Sequence, residues 1–91
     1  MAALAQAAPQ QQAIRDVLSS VRLPLGVALQ SIEFRENSHG EPSWFITYAV
    51  APSRLSDAQR AKELSGLIDQ TLRALDRLNL PFFEYVDFVV A

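Results

Sequence analysis

The sequence predicts an α+β domain of order α-β-β-α-β, in which two helices pack on one face of a three-stranded mixed sheet. Three observations carry this reading. Ser31 to Val50 contains two strand-like runs, Ser31–Glu36 and Trp44–Val50, folded about the polar loop 37–43. The stretch 56–78 has apolar residues at helical spacing behind a capping signal, and Tyr85–Val90 alternates at period two before the sequence ends.

The elements follow in order. Residues 1–9 are rich in Ala and Gln with little to bury, so they are expected to fray or stay disordered, with one domain over 10–91. A first helix is expected at about 10–22, where Ile14, Val17, Leu18 and Val21 form one stripe. Pro24 disfavours helix at Leu23, and Gly26 permits a turn. The first strand, about 28–36, points Gln30, Ile32 and Phe34 to one side and Ser31, Glu33 and Arg35 to the other. Val27 and Leu29 have the opposite parity, so either the strand starts late or a bulge shifts its register.

In the second strand, about 43–51, Trp44, Ile46, Tyr48 and Val50 form one face and Phe45, Thr47, Ala49 and Ala51 the other. Both faces are apolar, and Pro52 stops the ladder. In the second helix, Ser56 and Gln59 have capping-box spacing, and Ala61, Leu64, Ile68, Thr71, Leu72 and Leu75 make the expected buried stripe. Gly66 costs about 1 kcal/mol against Ala there, which marks a kink, a close contact or a break. Asn79 suits a left-handed C′ position and Pro81 ends the helix. The last strand is expected at about 83–90. The hairpin makes the first two strands antiparallel, and the helical crossover makes the third parallel to the second.

Two helices cover one face only. Ile32, Phe34, Ile46, Tyr48, Val86 and Phe88 are the best candidates for it. The outer face then shows Phe45, Thr47, Ala49, Tyr85 and Val89 beside Glu33, Arg35 and Asp87. Burying Phe45 and Val89 against a partner would contribute roughly 1.5–3 kcal/mol each before association costs. With only 20% charged residues, the chain has little polar surface to spare, which favours contact with another protein or a second copy through this face or an edge. The bland alternative is a tolerated patch on a monomer.

Composition narrows the other classes. A net charge of −2, with eight basic residues scattered among ten acids, disfavours nucleic acid as a partner. There is no cysteine, so thiolate chemistry and disulfides are excluded. No stretch has the length and hydropathy of a bilayer span, and no basic, apolar leader is recognisable, so a cytoplasmic location is expected. Seven of the eight basic residues are Arg, a bias that points to a GC-rich, bacterial genome.

Candidate chemistry is sparse. His39 is the sole histidine, flanked by Glu36 and Glu41 with Ser38 and Ser43 nearby. A Ser-His-Glu arrangement needs an oriented base and a dry oxyanion site, and one His with two carboxylates holds a metal loosely. A solvated turn is the better reading, and any function for His39 would be at the rim of a partner contact. Glu84 and Asp87 point to opposite faces of a strand and do not form an acid–base pair. The aromatics Phe82, Phe83, Tyr85, Phe88, Trp44 and Phe45 lack interleaved Lys and Arg, so packing is preferred to base stacking. The three glycines form no phosphate loop, and no enzyme activity or cofactor is expected.

Two resemblances add to this. The segment Ile32–Ser43, with the later Leu80–Phe88, resembles a group of small bacterial proteins that carry an acidic strand, a Gly-Glu/Asp-Pro turn and a terminal Tyr-Val-x-Phe-like strand. Some of these lie beside toxin-like genes in two-gene loci, so the likeness implies a companion or antitoxin-like binding protein. The α-β-β-α-β order, with Ser65-Gly66 inside the long helix, is similar to ribosome-binding factor A and other type II KH-like domains. That likeness implies an RNA-binding accessory factor, with Arg54, Arg60, Lys62 and Gly66 near a phosphate path. The KH Gly-x-x-Gly loop is missing, and Glu63-Leu64-Ser65-Gly66 lacks the Ala of that family's Ala-x-Gly kink.

Overall fold

A computed structural model describes the backbone of residues 2–91 and side chains from residue 8 onward. Its elements are α1 (Ala2–Leu18), β1 (Val27–Glu36), β2 (Pro42–Val50), α2 (Asp57–Asp76) and β3 (Phe83–Val90). The sheet order is β1-β2-β3. β1 pairs with β2 antiparallel, and β2 pairs with β3 parallel. The predicted fold class is therefore the observed one.

β2 runs down the middle and is buried almost throughout. Trp44, Ile46 and Tyr48 point toward the helices and are at most 1% exposed. Ile14 and Leu18 of α1, and Leu67, Ala74 and Leu75 of α2, close over them. The Tyr48 hydroxyl and the Thr71 hydroxyl of α2 lie 2.8 Å apart in this core, which pairs two polar groups that burial would otherwise strand. Phe34 packs its ring against Trp44 and Phe82, with centroids 4.9 and 5.0 Å away. These contacts tie the last turn before β3 to the hairpin.

The opposite parity of Val27 and Leu29 is resolved by a bulge. Leu29 pairs with Tyr48 and Ser31 with Thr47, so Gln30 is the extra residue. The bulge lets Val27 and Leu29 share the helix-facing side with Ile32 and Phe34. Gln30 is exposed rather than inward with Ile32 and Phe34, because the irregularity falls on it.

The helices differ from expectation at their ends. α1 closes at Leu18, not 22, because the Ser19 and Ser20 hydroxyls donate to Asp16 O and Val17 O, while Val21 N takes a tightened bond to Leu18 O at 3.0 Å. Toward the N-terminus, the helix includes Ala2 to Pro9 of the segment expected to fray, and Met1 of that segment lies outside the described residues. α2 opens on the expected capping box: Ser56 Oγ accepts from Gln59 N, and Gln59 Oε1 accepts from Ser56 N at 3.0 Å. Asn79 takes the left-handed conformation at φ 51°.

Within α2 the inward line is Arg60, Leu64, Leu67, Thr71 and Ala74/Leu75, continued by Leu78 in the turn that follows, which leaves Ala61 exposed and Ile68 and Leu72 half-buried rather than buried. The first inward position is polar because it serves the loops beneath. Arg60 donates to Leu25 O at 3.2 Å, to Ala51 O at 3.1 Å and to Glu63 at 3.0 Å. Gly26, at φ 80°, makes the adjoining turn, and its carbonyl accepts from Ala51 N at 2.8 Å.

Gly66 causes neither a break nor a close contact, since α2 is continuous across it and a Cβ there would meet nothing within 4 Å. Gly66→Ala should therefore recover the helix-propensity difference of about 1 kcal/mol. Thermal melts should show a Tm about 4–8 °C higher.

Candidate interaction surface

The outer face is built in rows across the three strands. From one end they are Arg35–Ser43–Phe83, Glu33–Phe45–Tyr85, Ser31–Thr47–Asp87 and Ala28–Ala49–Val89. The expected residues Phe45, Thr47, Ala49, Tyr85 and Val89 thus share one face. Their exposure differs because side chains of the flanking strands lean inward over the middle one.

Phe45 shows this best. The Tyr85 ring stacks on it with centroids 5.1 Å apart, and the Arg35 guanidinium carbon sits 3.7 Å from its ring centroid. Phe45 is only 8% exposed, so its apolar area is satisfied within the chain. Thr47 and Ala49 are half-buried. What remains open lies on β3: Tyr85 and Val89 at 38%, joined by Phe83 at 54% and Val90 at 88%. Phe83 was legible from its parity with Tyr85. Val90 was not, because it faces the helix side at the strand's end, where cover runs out.

The hairpin loop is organised by Asn37. Its Oδ1 accepts from His39 N at 2.9 Å and Glu41 N at 3.0 Å, while its backbone N–H donates to Glu41 O at 2.9 Å. Gly40 supplies the positive φ of 77°. The Asn37 amide also donates to the Tyr85 hydroxyl at 3.1 Å, fastening the loop to β3. An Asx-type side chain before a polar loop was the signal for this role. His39 is exposed at the tip, beside the outer face's upper rows. Ser43 is buried and turns its hydroxyl to Glu41 O at 3.0 Å, away from a triad arrangement with His39. Among the described residues no group of three His, Asp or Glu side chains is placed to hold a metal.

Glu84 and Asp87 fall on opposite faces as expected. Asp87 is exposed on the outer one. Glu84 lies on the helix side, paired in register with Trp44, and its Oε2 and the Trp44 indole N–H are buried without hydrogen-bond partners. Burial raises the Glu84 pKa above its usual 4.5, and the negative charge of Asp76 raises it further.

No helix of the described residues is long and apolar enough to cross a membrane. The chain matches no family model, no curated protein and no solved structure.

A carboxyl whose folded-state pKa is raised contributes its full stability below the unfolded value and loses it as pH climbs through the folded one. Glu84→Gln removes that loss. Denaturant titrations should find the variant more stable than wild type near neutral pH, with the difference shrinking toward and below pH 4.5.

Proposed function

We propose that this chain is a small non-catalytic protein-binding module, a companion to another protein or to a second copy of itself, acting in the bacterial cytoplasm. Contact is made through β3 and the adjoining outer flank, with the His39 loop at the rim. The observation that carries the reading is the apolar run on an edge strand, where Phe83, Tyr85, Val89 and Val90 are all exposed. Scattered exposed apolar residues are ordinary. Four on one eight-residue strand, beside an open row of backbone groups, suit strand addition and side-chain docking together. The likeness of the hairpin and the last strand to companion-type bacterial proteins points the same way.

The KH-like reading has less support. Arg60 spends its guanidinium on Leu25 O, Ala51 O and Glu63, so it is committed to the fold rather than to a phosphate path. Gly66 lies in regular helix and forms no phosphate-cradling turn.

A photo-crosslinking residue at Phe83, in cells of the native host, should yield a discrete protein adduct. The same residue at Ser65, on the exposed side of α2, should not. Equal labelling from both positions, or none from Phe83, would remove the assignment of β3 as the contact.

A further inference from the structure

We infer that the partner of β3 is a second copy of β3, added antiparallel and centred on Val86, which joins two sheets into one of six strands. This rests on β3 being the contact strand. It goes further in naming the occupant and the register.

The direction of the free backbone groups follows from the ladder. Ala91 N donates to Val50 O at 2.9 Å, and Val50 pairs with Val90. Odd-numbered residues of β3 therefore turn their N–H and C=O toward β2. Glu84, Val86, Phe88 and Val90 turn theirs to the open edge. Among the described elements only β2 and α2 touch β3, so no further strand or helix covers that row.

The two edges of the sheet are not equivalent. β1 carries the bulge at Gln30, and the Gln11 side-chain amide of α1 donates to Ile32 O. Both features blunt an edge against addition. β3 is guarded only by its two acids, Glu84 on the inner face and Asp87 on the outer. It contains no Pro, Lys or Arg, and its pairing with β2 runs without a register shift.

The occupant follows from symmetry and charge. In a two-fold antiparallel pair, the two residues opposite each other must lie on the same face, so the centre of symmetry falls on a residue. Centring on Asp87 sets two carboxylates side by side, and centring on Glu84 does the same. Centring on Tyr85 opposes Phe83 to Asp87 and leaves fewer paired edge groups. Centring on Val86 opposes Val86 to itself, Glu84 to Phe88, Tyr85 to Asp87 and Phe83 to Val89. Every acid then meets an aromatic residue, and exposed Phe83 meets exposed Val89. Val86 also becomes a hydrogen-bonded pair, giving about six inter-chain backbone bonds over residues 84–88. Centring on Phe88 also allows about six bonds, but it opposes Val89 to Asp87 and leaves exposed Phe83 outside the paired stretch, so the strand complements itself best about Val86.

Sedimentation equilibrium of the full chain should give a dimer. Because the chain has no cysteine, Val86→Cys supplies the only thiol, and its Cα would sit about 5.5 Å from its mate, within disulfide range. Mild oxidation should crosslink it, while Ala28→Cys on β1 should stay uncrosslinked. Val86→Pro removes only an edge donor and should weaken dimerisation about tenfold or more. Should that variant misfold, Phe83→Lys with Val89→Lys changes exposed positions only and should give a folded monomer by circular dichroism and sedimentation. A dimer indifferent to these changes, or a Val86→Cys chain that fails to crosslink, overturns the register. A wild-type monomer up to millimolar concentration overturns self-pairing. If the Phe83 photo-adduct nonetheless forms with another protein, the binding-module reading survives without it, and if no adduct forms, both fall.

Discussion

The constraint on which this small domain turns is that its central strand must be covered on both sides. Ser43, Trp44, Phe45, Ile46 and Tyr48 are all buried, and a two-layer domain has helices for one side only. The inner side is met by α1 and α2, with the Tyr48 and Thr71 hydroxyls satisfying each other within it. The outer side is met from within the sheet. Arg35 leans in from β1 and Tyr85 from β3, and together they roof Phe45 with a cation and a stacked ring. Asn37 then holds the Tyr85 hydroxyl, so the loop fixes the lid that shields the strand.

This solution moves the apolar excess instead of abolishing it. The side chains used to cover β2 come from the two edges, and an edge strand has a neighbour on one side only. β1 manages that position with charge, a bulge and the Gln11 contact. β3 keeps Phe83, Tyr85 and Val89 on its outer face with a single carboxylate, Asp87, among them. The open surface therefore migrates from the centre of the face to its β3 border, and a partner that meets it there gains backbone bonds as well as apolar area.

Much of the fold was legible because it depends on period and punctuation. Alternation marked β2 and β3, Ser56 and Gln59 marked the start of α2, and Gly26, Gly40 and Pro81 marked turns. What escaped were choices made by tertiary contacts. Which of Ala61 and Leu67 faces the core depends on a rotation of the helix about its axis, and Arg60 sets that rotation by reaching carbonyls of two distant loops. The end of α1 depends on two serine hydroxyls competing for the last carbonyls. The outer-face residues were named correctly as a set, but exposure within the set was not readable. Whether Phe45 is wet depends on the rotamers of Arg35 and Tyr85, which belong to the two neighbouring strands.

The register of β3 also keeps a polar cluster at one end of the core. Glu84 must lie on the inner face, because the parity that places Tyr85 over Phe45 and leaves Val86 and Phe88 beneath the helices fixes Glu84 as well. A carboxyl there meets burial and the charge of Asp76. Shifting β3 by one residue would free Glu84 but would bury Asp87 and remove Tyr85 from its stacked position. A raised carboxyl pKa at the margin of the core is the smaller cost, since a group near the end of a strand can still recruit water. The strand's register is thus set by its aromatic and aliphatic residues, and its acids are carried wherever that register leaves them.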